Sequence, residues 1–232
     1  MDDLSLKLLA GQPIDIGIGK IHPLTLREIM NIGEITYNQY LSILLFNKTL
    51  LQQEELKQLS DFEVFSVYCF YNESFRNLSF KALELFFKET PLITKEGVVF
   101  FDKQRVFNES AFNQMRLVLK KQNYLKDESE KEFKPANDKA RELQEKLKQI
   151  KSKIKEQNKN DGLNLSDIIS IVSAYLPNVN IFNVWDLTVY QLYELYIRLI
   201  MKDKYESEFA IYLQGEDPKK LDLKHWASKI EQ

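Results

Sequence analysis

Histidine and cysteine are nearly missing from this chain of 232 residues, which holds two of the first and one of the second. His22 and His225 stand near opposite ends, so the histidine–cysteine spacing of a zinc site is absent. A serine-type triad would have to recruit one of those same two residues. The expectation is an interaction protein, not an enzyme, with no catalytic residue, no cofactor and no metal. Cys69 lies in the apolar run VFSVYCFY and reads as a small buried hydrophobe. With no second cysteine a disulfide framework is excluded, and a reducing compartment fits. Glycine and proline, at 7 and 6, are too few for the many tight turns of an all-β fold. No apolar run approaches the ~18 residues of a membrane span. The start, MDDLSLKLL, lacks the basic end of a secretory signal. A net charge of −2 gives no global field toward nucleic acid.

What is present is a hydrophobic content of 44% with 12% aromatics, enough to bury a core and to argue against disorder throughout. A soluble, cytoplasmic, mainly helical protein is expected.

The stretch IDIGIGKIHPLTLREI, residues 14 to 29, imitates a phosphate loop. A Walker loop needs a glycine five positions before Gly19, with four residues between, and a hydroxyl after Lys20; the chain has Ile14 and Ile21 there. The missing hydroxyl would have held magnesium, so the mechanism is lost with the pattern. A dinucleotide loop needs a third glycine where His22 stands. Alternating Ile14, Ile16 and Ile18, with Gly17 and Gly19 at a turn, predict a small β-hairpin instead.

Helix signals follow. Thr25 and Glu28 form a capping box that opens a helix expected over 26–46, with Gly33 inside it as a kink or a close contact. Ser60 and Glu63 form another, ahead of DFEVFSVYCFY. An amphipathic helix is expected over 78–89, a second hairpin in PLITKEGVVFFD with its turn at Lys95-Glu96-Gly97, and a helix over 109–122. Later come a short helix, LSDIISIVSAYL, and an extended connector, NVNIFNVW. A long helix then opens at Thr188 and Gln191 and closes at Gly215. Tyr190, Tyr193 and Tyr196 within it read as core, not as a platform for bases.

Between residues 126 and 161 the composition changes: twenty of 36 residues are charged, eleven of them basic. Ala136, Ala140, Leu143, Leu147, Ile150 and Ile154 recur at spacings of four and three, a heptad seam on a helical arm. Its g positions are Lys139, Lys146 and Lys153, and its e positions carry no acid, so self-pairing as a coiled coil leaves the lysines without partners. Leu143, Leu147, Ile150, Ile154, Lys139, Lys146 and Lys153 are therefore the candidate partner-binding residues. Two coverings of the seam are open: the rest of this chain, or a foreign helix of acidic character. The basic stretch from Lys139 to Lys159 has no aromatic residue to stack on a base, which makes nucleic acid a poor partner.

Three stretches, GKIHPLTLREIMNIGEITYNQYLSIL, NVWDLTVYQLYELYIRL and DPKKLDLKHWASKI, together with the charged arm, resemble proteins encoded in the tail-morphogenesis region of tailed bacteriophages of Gram-positive hosts. The resemblance implies a non-catalytic role as a tail assembly chaperone that binds a helical tape-measure-type protein, or as a minor tail component. No functional residue is carried over by it. Other roles in view are a structural tail or head-completion protein kept in the particle, and a regulatory or host-directed binding module. The expected architecture is mainly α: a helical body with two small β-hairpins and a protruding charged arm. The chain divides into an N-terminal α+β lobe (1–125), a charged linker with the heptad arm (126–161) and a C-terminal helical lobe (162–232), the outer two forming either two lobes or one shared core. A protein partner is expected, without a small-molecule substrate or a membrane.

Overall fold

The computed structural model of the chain describes residues 3–48, 58–94, 99–101, 105–125 and 163–230. The whole charged arm, with Lys139, Leu143, Lys146, Leu147, Ile150, Lys153 and Ile154, lies outside the described residues, as does the turn at 95–97. The protein is mainly α.

A helix not foreseen in the sequence, α1 (Asp3–Leu9), comes first, with only Leu8 fully buried. β1 (Ile14–Asp15) and β2 (Lys20–Ile21) then pair antiparallel, Ile14 opposite Ile21. The two glycines have different physical roles. Gly17 turns the chain at φ +85, with its amide donating to Asp15 Oδ1 at 2.8 Å. Gly19 is needed for space, since a Cβ there would meet the Phe87 ring at 3.0 Å. The hairpin is fastened by the His22 amide donating to the Phe86 carbonyl.

The single helix expected over 26–46 is two helices, α2 (Leu26–Ile32) and α3 (Glu34–Leu44). Gly33 divides them at φ 87 and ψ 138, a conformation closed to L side chains. Its amide closes α2 on Ile29, and its carbonyl accepts the first bond of α3, from Tyr37. Both foreseen capping boxes form: Thr25 with Glu28 at the head of α2, and Ser60 with Glu63 at the head of α4 (Asp61–Tyr71).

α5 spans Glu73–Phe87, starting five residues before the expected 78. Asn72 caps it by accepting the Phe75 amide at 2.9 Å, and the polar first turn concealed the start. β3 (Leu92–Ile93) and β4 (Val99–Phe100) form the second hairpin. α6 (Glu109–Gln122) has the expected bounds, with Asn108 as its cap. α7 (Leu165–Tyr175) begins at an Asn164–Asp167 capping box. The connector expected to be extended is instead a series of turns ending in a 3-10 turn at Val184–Asp186, because asparagine side chains bond its own backbone. α8 (Val189–Leu213) opens on Thr188 and Gln191, and Gly215 follows at φ +98.

One hydrophobic cluster joins residues from both sides of the charged segment. Phe65, Phe86, Phe87, Phe112 and Met115 meet Ile168, Val172, Val184, Tyr190 and Leu192 in it. Phe65 and Phe112 have ring centres 5.2 Å apart at its heart. Arg116 spans from α6 to Asp61 at 2.8 Å while its guanidinium lies 5.4 Å over Phe112.

Candidate interaction surface

Two features of the described residues bear on binding: the point where the chain leaves α6 for the charged segment, and the outer half of α8.

At the first, α6 ends and Tyr124 takes a left-handed backbone at φ 54. Its ring stacks on Tyr193 at 5.5 Å and packs on Tyr190 at 5.1 Å, and its hydroxyl bonds Glu194. The neighbouring Asn123 is buried; its Oδ1 accepts from the Tyr37 hydroxyl and its Nδ2 donates to the Leu119 carbonyl at 2.8 Å. Burial raises the Tyr193 phenol above its ordinary value, and pushes Tyr37 up further. Tyr190 is buried and Tyr193 and Tyr196 are half-buried against the core, as the sequence predicts for them. Leu125 and Leu163 are the described residues on either side of the charged segment, and both are exposed.

In the second feature, the core reading made from the sequence for Tyr190, Tyr193 and Tyr196 does not extend along the whole helix. Val189, Tyr190 and Leu192, in the first turn of α8, are buried, but beyond Arg198 the helix emerges into solvent. Ile200, Phe209, Ile211, Tyr212 and Leu213 are all exposed, Leu213 at 69%. Residues 216–230 fold back along this outer half. Arg198 donates to the carbonyls of Trp226 and Ser228 at 2.9 and 2.5 Å, and Lys204 pairs with Asp222 at 2.5 Å. That bond raises the Lys204 amine and lowers the Asp222 carboxyl. The His225 ring packs edge-on against Tyr205 and stacks on Trp226. A ladder of rings, Tyr205, Phe209 and Tyr212, runs up the helix. The tail covers its lower end and leaves the upper end to water. A periodic apolar signal cannot separate a helix covered by its own chain from one covered by another.

The reactive groups are placed as follows. Burial first, then the Lys88 cation, lowers the His22 imidazole. The Cys69 thiol is buried and pushed up to about 12 by desolvation, far from the thiolate needed for reactivity. Among the described residues no three histidine, cysteine or carboxylate side chains are grouped to hold a metal, and no helix is long and apolar enough to cross a membrane.

Residues 155–231 match the family model of the YomV second domain, a phage-derived family named for a protein of a Bacillus prophage. The match takes in α7, the asparagine-rich connector, α8 and the folded-back tail. This part of the chain is therefore similar to a phage-associated domain. No curated protein and no solved structure matches the chain.

Proposed function

We propose that the chain is a non-catalytic phage tail-morphogenesis protein, a tail assembly chaperone of the bacterial host cytoplasm that binds a helical tape-measure-type partner. The observation that carries this reading is the outer half of α8: an exposed ring-and-aliphatic face lying within the segment similar to a phage-associated domain. Amphipathic helices are captured by such faces through side chains spaced three and four apart. The seam Leu143, Leu147, Ile150 and Ile154, flanked by Lys139, Lys146 and Lys153, supplies a second apolar stripe whose lysines suit an acidic helix.

The test is co-expression of the tagged chain with the long helical tail protein encoded beside it, followed by co-purification. Leu147→Asp with Ile150→Asp is expected to abolish recovery of the partner while the circular dichroism spectrum keeps its helical signal. Recovery of tube or portal subunits in its place, with the chain present in finished particles, would replace chaperone by structural component. Unfolding of the double variant would assign the seam to the core.

A further inference from the structure

The last stretch of the chain is fastened to the fold differently from the rest. After Gly215, at φ +98 with nothing within 4 Å of the place a Cβ would take, residues 216–230 turn back along α8. Their contacts keep one register. The Asp222 amide donates to the Glu208 carboxylate, and the Asp222 carboxylate pairs with Lys204. The His225 ring meets Tyr205 with centres 4.9 Å apart. The carbonyls of Trp226 and Ser228 both accept from Arg198. As the tail goes from 222 up to 228, its partners go from 208 down to 198. It therefore lies antiparallel on the helix over about 15 Å, at a rise of about 1.5 Å per residue.

This packing stands apart from the core. The hydrophobic cluster that closes the fold takes in α8 only as far as Tyr196, and no residue of the tail belongs to it. What holds the tail is polar and wet. The Lys204 and Asp222 side chains are 52% and 60% exposed, and an ion pair in that setting contributes little. Trp226 is itself exposed. A segment held this way can leave α8 without opening the protein, because the cost of a local opening follows the buried apolar contacts it breaks. The tail nevertheless masks part of a ring face. Tyr205, under His225, is half-buried, whereas Phe209 and Tyr212, further along the same row, are exposed.

We propose that residues 216–230 are an autoinhibitory strap, which masks the lower end of the ring face of α8 and is displaced when the partner helix binds there. The inference rests on the reading that the outer half of α8 receives that partner. Phe209 and Tyr212 are the landing, and a partner advancing from them toward Tyr205 meets the tail and takes its place. The strap competes as a tethered ligand. Joined to α8 through a single turn at Gly215, it is present at an effective concentration on the order of millimolar at any protein concentration. Only a ligand that binds the rings better with the tail off can shift that balance. The observed dissociation constant is the intrinsic one divided by the fraction of chains whose face is open. Displacement also strips the tail from Arg198, Lys204 and Glu208, two cations against one carboxylate, a rim that suits a helix of acidic character.

Fluorine NMR of the full chain labelled with fluorotryptophan tests it. The chain has two tryptophans, so one signal reports Trp185, in the 3-10 turn before α8, and the other reports Trp226 in the strap. Asp222→Lys sets a like charge against Lys204, and His225→Gly takes the ring away from Tyr205; each loosens the strap without entering the core. The probe is the long helical tail protein encoded beside the chain, titrated into all three forms. In the free unaltered chain the Trp226 signal is expected to differ from that of the isolated peptide 216–230. It should move to the peptide position as the probe binds, with Trp185 unmoved. Both variants should show Trp226 at the peptide position before any probe is added, keep the urea midpoint, and bind the probe roughly threefold tighter or more. The strap is overturned, with the tail-assembly reading intact, by equal affinity in the three forms, by binding that leaves Trp226 in place, by a Trp226 signal already at the peptide position in the unaltered chain, or by a lowered urea midpoint in both variants. No binding by any form would overturn the tail-assembly reading and this inference with it.

Discussion

Thr25 and Thr188, far apart in sequence, face each other in an antiparallel bridge, and each is also the N-cap of a helix. Thr25 accepts the Glu28 amide while Glu28 reaches back to the Thr25 amide; Thr188 and Gln191 do the same for α8. Beside them the Leu26 amide donates to the Leu187 carbonyl at 2.8 Å. Two local start signals are thus joined into one long-range clasp that sets the start of α2 against the start of α8.

Replacing either threonine by alanine removes a capping bond and leaves a helix amide without a partner. Each of Thr25→Ala and Thr188→Ala is expected to cost about 1 kcal/mol. Because the two residues touch, the double variant should depart from the sum of the single effects. Urea unfolding of the four proteins checks this; strict additivity would mean that the bridge does not couple the caps.

Gly33→Ala is expected to destabilise the chain by about 1–3 kcal/mol, the cost of a strained backbone. The nearest atom to an added Cβ is Thr36 Oγ1 at 3.9 Å, an ordinary contact, so the loss would come from the positive φ and not from crowding. A melting temperature equal to that of the unaltered chain would show that α2 and α3 can merge into one helix.

Tyr37→Phe takes the hydroxyl away from Asn123 and leaves a buried amide oxygen unsatisfied, at an expected cost of about 1–3 kcal/mol. Asn123→Leu removes that amide but strands the Tyr37 hydroxyl instead, while the Leu119 carbonyl keeps the backbone amide of residue 123 as its donor. The pair should therefore show coupling in a double-mutant cycle read by chemical denaturation.

Acid should weaken the fold in two separate windows. His22 is held below its ordinary value of 6.5, first by burial and then by Lys88, so the unfolded chain takes up its proton more readily than the folded one. Its contribution is complete above pH 6.5 and fades as pH falls toward the folded value. For Glu28, burial raises the carboxyl, but the Thr25 amide and Lys88 outweigh it, and the net value lies below 4.5. Its contribution is present above pH 4.5 and disappears as pH falls further. His22→Gln should flatten the urea midpoint between pH 7 and 5, and Glu28→Gln should flatten it below 4.5. Variants with the slope of the unaltered chain would assign the acid loss to other groups.

Signals confined to a few neighbouring residues were legible in the sequence. The boxes at Thr25–Glu28, Ser60–Glu63 and Thr188–Gln191, the turn at Gly17, the bounds of α6 and the failure of the phosphate-loop pattern all follow from chemistry within one turn of chain. The asparagine cap at position 72 is a signal of the same kind, hidden because the residues after it are not uniformly apolar. Gly33 was visible as a weak point, but whether a glycine kinks a helix or ends it depends on the path the flanking segments take over the core. The seam from Leu143 to Ile154 rests on periodicity alone, and those residues lie outside the described structure.

The sequence by itself determined that the chain is mainly helical, where most helices start, and that residues 14–29 miss the Walker and dinucleotide-loop patterns, because these depend on residue type and short spacing. Only the tertiary structure decided that Thr25 meets Thr188, that Tyr124 closes over Tyr190 and Tyr193, and that the outer half of α8 remains in water. Apolar spacing reports that a side chain needs cover. Which surface provides it is settled by packing between segments distant in the chain, and that packing leaves no local trace in the order of residues.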